Sequence, residues 1–260
     1  MTLILLTGLV LPFVGTALGA AAVFLLRSEI PARLQNILPG FASGVMTAAA
    51  VWSLLLPSIE MARSSVMPAW LPAAAGFTGG IFFLLLLDNL VPHLHPCSDR
   101  AEGPAVRLKR TTKLILAVTL HNIPEGMAVG VVLAGAMNTQ TSISIAGAMA
   151  LSLGIAVQNI PEGAIVSMPM RSAGNNRRRA FAYGVLSGAV EPAAGIVTIL
   201  LIENLLPLLP WLLSFAAGAM IYVVVEELIP EAQSGLHSDI ATIAFAAGFV
   251  VMMILDVALG

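Results

Sequence analysis

Two short stretches of this chain hold the side chains best placed to do chemistry. His121-Asn122-Ile123-Pro124-Glu125-Gly126 is echoed thirty-seven residues later by Gln158-Asn159-Ile160-Pro161-Glu162-Gly163, identical at five of six positions. His121 and Glu125 are four apart and share a helix face, as do Gln158 and Glu162. Pro124 and Pro161 have no N–H, so the carbonyls of Leu120 and Val157 lose their helical partners. Imidazole, carboxylates, amide oxygens and freed carbonyls together make a borderline-to-hard donor set for a divalent cation. Gly126 and Gly163 allow a neighbouring backbone to come close.

The surrounding chain is almost wholly apolar. Of 260 residues, 58% are hydrophobic and 10% charged, against about 25% charged in ordinary soluble domains. The mean hydropathy is +0.95. That leaves too little polar surface for a soluble enzyme, so the chain reads as an integral membrane protein. A span needs about 20 apolar residues, and apolar runs fall at about 2–26, 38–60, 70–91, 113–137, 141–169, 180–202, 207–229 and 239–259. These runs are too long for barrel strands and do not alternate. The expected fold is all-α, with eight transmembrane helices in a single domain over residues 1–260. The first run lacks a basic flank and is about twice the length of a signal core, so it is expected to be a retained span. One cysteine, Cys97, excludes an internal disulfide framework. The net charge of −2 gives no reason to expect nucleic acid.

Basic residues set the orientation. Arg27 and Arg33 lie in the first loop. Arg100, Arg107, Lys109, Arg110 and Lys113 lie in or beside the third, and Arg171, Arg177, Arg178 and Arg179 in the fifth. Of the twelve basic residues, Arg63 alone lies opposite. The positive-inside rule then puts the odd-numbered loops in the cytoplasm and both termini outside.

Spans four and five cross in opposite directions while carrying the same cassette. Such an antiparallel pair is the mark of an inverted repeat, with broken helices four and five expected at the centre. His121 and Glu125 lie about 8 and 12 residues into span four, and Glu162 and Gln158 about 7 and 11 from the end of span five. At roughly 1.5 Å per residue all four sit about 10–18 Å deep in a core about 30 Å thick. Glu191-Pro192 in span six lies at the same level, after Gly184, Ser187 and Gly188, which permit close packing. A lone Asn or Gln in a span is usually helix-to-helix glue, and a single buried Glu can be a protonated structural group. Three glutamates at one depth are another matter. Ionised and unpaired, they would cost roughly 8–10 kcal/mol, and no Lys or Arg lies at their level. Protons or bound cations must compensate them. One divalent ion beside three carboxylates leaves a charge of −1 and two leave +1, so one- and two-metal sites both stay open.

With these residues in place, the chain resembles the ZIP (Zrt/Irt-like) divalent metal transporters, particularly their bacterial branch. The likeness rests on the HNIPEG and QNIPEG cassettes and extends to FASGVMTAAA in span two, EPAAG in span six, VEELIPEA in span seven and the terminal LDVALG. It implies a metal site on His121, Asn122, Glu125, Gln158, Asn159, Glu162 and Glu191, with Met46 supplying a thioether from span two. It further implies bridging carboxylates and transport by one helix bundle sliding against the other. Some relatives carry aspartate where this chain has Asn159, others His where it has Gln158, and often His-Glu in place of Glu226-Glu227. The last substitution would harden the inner site.

An exit path is expected from Asp88, His93 and His95 at the inner end of span three with Glu226, Glu227, Glu231 and His237 around the end of span seven. Glu60 and Asp256, near the outer face, are entry candidates. The expected activity is transport of Zn2+, with Cd2+, Fe2+ or Mn2+ as similar substrates, into the cytoplasm across the inner membrane. The metal is cargo, and no cofactor is expected. Partners are the divalent ions and the lipid bilayer, and the family likeness suggests a homodimer. Two other classes stay open. An ion-coupled carrier of an organic solute would need aromatic or charged anchors that are scarce here. An intramembrane zinc hydrolase would need more deep histidines than His121. No Walker-type motif appears.

Overall fold

Among the described residues, eight helices are long and apolar enough to cross a membrane. They are α1 (Leu3–Leu25), α2 (Arg33–Ala62), α3 (Trp70–Leu90), α4 (Ile115–Ala136, in a helix starting at Arg110), α5 (Ile145–Ser172), α6 (Arg177–Ile202), α7 (Leu209–Ala232) and α8 (Ile240–Leu259). The computed structural model describes residues 2–25, 31–63, 67–93, 104, 110–138, 141–202, 206–234 and 239–259. No strand occurs among them beyond an isolated bridge at His93. The all-helical expectation and the eight spans hold, with ends that differ by a few residues. The α2 helix begins earlier than its apolar run because Pro31 fixes the turn before it and the first helical turn carries polar residues. Ser144 and Asn176 start α5 and α6 by accepting the N–H of Gly147 and Arg179 at 2.8 and 2.9 Å, which satisfies donors that a helix start leaves free.

The expected breaks in spans four and five do not occur. The helices Arg110–Ala136 and Ile145–Ser172 run uninterrupted through Pro124 and Pro161. Proline removes one N–H but need not end a helix that neighbouring helices hold on every side. The irregular spans are others. The α2 and α7 helices each widen into a π segment, Ala50–Leu55 and Val224–Leu228. In each, the residue after the segment donates five residues back, Leu56 N–H to the Val51 carbonyl and Ile229 N–H to that of Val224. Pro57 and Pro230 follow one residue later. Because proline cannot donate to the carbonyl four residues back, the wide turn re-routes the ladder just ahead of it. The α6 helix is divided at Ala189, two residues before Glu191.

The helices pack in two groups of four. In one, α1 lies along α5, α4 along α6, and the two pairs touch; in the other, α2 lies along α8 and α3 along α7. The groups meet where α7 packs on α4, and where α2 and α8 pack on α5. The main core fills this boundary, with Val45, Met46, Leu54, Val129, Leu133, Leu151, Leu213 and Met220 all essentially buried. The cassettes lie on α4 and α5, and His121, Glu125, Gln158 and Glu162 from them reach this boundary.

Candidate metal site

Between the two groups lies a cavity of about 40 Å3, room for about three waters at roughly 10–15 Å3 each. Met46 of α2 lines it together with His121 and Glu125 of α4 and Gln158 and Glu162 of α5. From there it runs past Pro39, Val118 and Ile165 to Glu227 and Glu231 of α7. These residues sit where α2 and α4 begin and α5 and α7 end, so the cavity leads to the end of the molecule bearing the odd-numbered loops. Helix spacing brings this about: His121 and Glu125 are one turn apart on α4, and Gln158 and Glu162 one turn apart on α5.

Asn122, Asn159 and Glu191 lie behind that wall, buried at 0%, 0% and 1% exposure and outside the cavity lining. Asn122 Nδ2 donates to the Ser187 carbonyl of α6 at 3.0 Å. Thr16 of α1 donates its hydroxyl to Glu191 Oε1 at 2.9 Å. Gln158 Nε2 donates to Glu125 Oε1 at 2.7 Å. His121 pairs through Nε2 with Glu227. Small residues make this crowding feasible. A Cβ on Gly126 would stand 2.2 Å from the Glu191 carbonyl oxygen, and one on Gly163 2.0 Å from that of Thr16.

Six buried oxygens at this centre have no hydrogen-bond donor: Asn122 Oδ1, Glu125 Oε2, Gln158 Oε1, Asn159 Oδ1, Glu162 Oε1 and Glu191 Oε2. Folded proteins leave very few such groups, and each costs about 1–3 kcal/mol. One donor, Asn159 Nδ2, is left without a partner beside them; the six oxygens, on three helices, outnumber it and offer lone pairs to something positive. Among the described residues, no three His, Cys, Asp or Glu side chains yet converge as a ready ligand shell. His121, Glu125 and Glu191 are instead engaged with Glu227, Gln158 and Thr16.

The expected exit residues divide. Glu227, 7% exposed, and Glu231 line the cavity, whereas Glu226 is exposed and lies outside it. This corrects the placing of Glu226 on the path: neighbouring residues of a helix point about 100° apart, and here Glu227 faces in and Glu226 out. Asp88 and His93 form a separate cluster at the end of α3, with His93 Nε2 3.0 Å from Asp88 Oδ1 and the Tyr222 hydroxyl donating to Asp88 Oδ2 at 2.9 Å. His95 and His237 lie outside the described residues. Of the entry candidates, Asp256 accepts the Ser53 hydroxyl at 2.8 Å, and Glu60 is exposed. The sequence reading missed Thr16, Ser53 and Tyr222. Only the polarity of Thr16 amid Gly15 and Gly19 hinted at a role, and hydroxyls in spans are common.

A model described as the ZIP zinc transporter matches residues 102–256. Zinc transporter ZIP11 of Homo sapiens is 40% identical, over 94% of each chain. Zinc transporter ZIPB of Bordetella bronchiseptica is 38% identical over 95% of this chain and 79% of that one. Zinc transporter GufA of Myxococcus xanthus is 36% identical over 95% of this chain and 96% of its own.

Proposed function

The chain belongs to the ZIP zinc transporter family, and we propose that it carries Zn2+, with Cd2+, Fe2+ and Mn2+ as further substrates, across the inner membrane into the cytoplasm through the cavity between its two helix groups. Members of this family are transporters, so the intramembrane hydrolase falls away. The observation that carries the site assignment is the set of six donorless buried oxygens around the cassettes. In a region without Lys or Arg, a divalent ion is the partner that would satisfy several of them at once and offset the glutamates.

His121, Glu125, Gln158 and Glu162 would meet the ion first, with Met46 adding a softer contact and Asn122, Asn159 and Glu191 closing the shell from behind. The small cavity suits a partly dehydrated ion better than an organic solute. Two packed groups with the site at their boundary support alternating access by sliding. Positive-inside orientation makes the open end cytoplasmic and both termini external, so the cavity seen here is the release route, ending at Glu227 and Glu231. A homodimer belongs to the same proposal, on family likeness.

The test is Zn2+ and Cd2+ flux into proteoliposomes, wild type beside Glu125→Ala, Glu162→Ala. Flux in the wild type that the double variant loses is the expected result. Wild-type flux retained by the double variant would overturn the site, and no flux in either would overturn the function.

A further inference from the structure

Met46, which lines the cavity, has a counterpart of the same type in α7, the buried Met220. The evidence is a repeat in the helices that frame the cassettes. In the group formed by α2, α3, α7 and α8 the pattern Phe-x-x-Gly occurs once per helix, at Phe41–Gly44, Phe77–Gly80, Phe215–Gly218 and Phe245–Gly248. A fifth instance, Phe181–Gly184 in α6, packs its glycine on Ala20 and lies outside the repeat. In the four the contact is the same. Each glycine meets the Phe carbonyl of the helix alongside. A Cβ on Gly44 would stand 2.0 Å from the Phe245 oxygen, and one on Gly248 2.1 Å from that of Phe41. The same additions at Gly218 and Gly80 would stand 2.0 Å from the oxygens of Phe77 and Phe215. The pair α2–α8 is therefore built like the pair α7–α3, with α2 matching α7 and α8 matching α3.

Counted from these anchors, the match continues. The π segments begin at Ala50 and Val224, nine residues past Phe41 and Phe215. Ser53 and Glu227 fall at one register, both buried. Asp88 and Asp256 fall at another, each accepting a hydroxyl from the helix alongside, Tyr222 in one case and Ser53 in the other. The other helix group repeats likewise: Gly163 abuts the Thr16 carbonyl of α1 as Gly126 abuts that of Glu191 in α6. The cassettes on α4 and α5 exchange under the same operation. Neighbouring spans run oppositely, so the two halves are inverted with respect to the membrane.

Met46 and Met220 occupy one register in this repeat, five residues past Phe41 and Phe215. Their surroundings differ. Met46 lines the cavity; Met220 is wholly buried, on the helix that packs against α4 on the boundary between the groups. Inverted halves that exchange roles give the cavity its opposite opening. In that exchange α4 takes the part of α5, α7 that of α2, and Met220 that of Met46. We propose that Met220 is a second thioether contact for the ion, made when the cavity opens to the opposite face, and the plug that closes that face in the state seen here. This rests on the metal-carrier reading above. A soft sulfur on both sides favours Cd2+ over Mn2+ at entry as well as release.

The experiment uses the full chain with Cys97→Ser, carrying Met46→Cys or Met220→Cys, in right-side-out and inverted membrane vesicles treated with a membrane-impermeant methanethiosulfonate. Met46→Cys should react from one face and Met220→Cys from the other, each slowed by Cd2+. A Met220→Cys protein inert from both faces, or one that Cd2+ does not protect, overturns the assignment. If that happens while wild-type Zn2+ flux still depends on Glu125 and Glu162, this inference alone fails; if that flux is absent too, the carrier reading fails with it. Met220→Leu keeps the volume and removes the sulfur. Its Cd2+-to-Mn2+ flux ratio should fall, as with Met46→Leu, and an unchanged ratio overturns the proposal.

Discussion

Adding one methyl group at Gly126 tests whether the site depends on how closely α4 approaches α6. The Cβ of Gly126→Ala would stand 2.2 Å from the Glu191 carbonyl oxygen and 2.8 Å from its Cα. Ordinary contact starts near 3.4 Å, so α6 must retreat by about 1.2 Å. The neighbour is backbone, which no rotamer change can move. The retreat shifts Glu191, whose carboxylate is held by Thr16 at 2.9 Å. Metal ligands tolerate departures of only about 0.2 Å, so the displacement is several times too large. Zinc flux should fall by about 10–100-fold, the range found when groups supporting a metal site are disturbed. Overpacking of this kind also destabilises by about 1–3 kcal/mol, read as a lower Tm in detergent. Gly163→Ala, which meets the Thr16 carbonyl at 2.0 Å, should do the same. Gly79→Ala is the control, because its Cβ meets the Phe215 ring at an ordinary 3.6 Å. There the usual gain of about 0.5–1 kcal/mol for replacing helical glycine should appear, with flux intact. If Gly126→Ala transports normally with a Tm at or above wild type, the close approach has no bearing on the site.

His121→Ala and Glu162→Ala should each lower Zn2+ uptake clearly at unchanged membrane abundance, and normal uptake in either would remove that residue from the site. Glu227→Gln should slow Zn2+ release while Glu226→Gln has little effect, because the first is buried against His121 and the second is exposed; equal effects in a counterflow assay would refute the division. Thr16→Val removes the hydrogen bond to Glu191 without changing the shape much. It should weaken Zn2+ binding by about 10–100-fold, with Thr16→Ser restoring it, and equal Kd values for Val and Ser by titration would make Thr16 a packing residue only.

What could be read in the sequence, and what could not, divides along a physical line. The spans and the cassettes were legible because ionisable groups deep in an apolar run are costly enough to demand a reason. Spacing of four residues then placed His121 with Glu125 and Gln158 with Glu162, and the structure puts all four on the cavity wall. Proline was a poorer guide. It was expected to break α4 and α5, yet both stay continuous, while Pro57 and Pro230 attend the π segments of α2 and α7. Whether proline breaks, widens or merely interrupts the ladder depends on what neighbouring helices supply, and one helix's sequence does not carry that. Glu226 and Glu227 are adjacent and so point about 100° apart; which of them faces the cavity depends on how α7 is set against α4 and α5, and the sequence of one helix does not carry that. Phe-x-x-Gly passed unnoticed for the opposite reason: phenylalanine and glycine are ordinary in spans, and the pattern means something only once each glycine is seen against the partner helix's Phe carbonyl. Costly residues advertise a site, whereas cheap ones specify the packing around it. The proposed sliding would draw on both, its chemistry on the cassettes and its symmetry on the glycines.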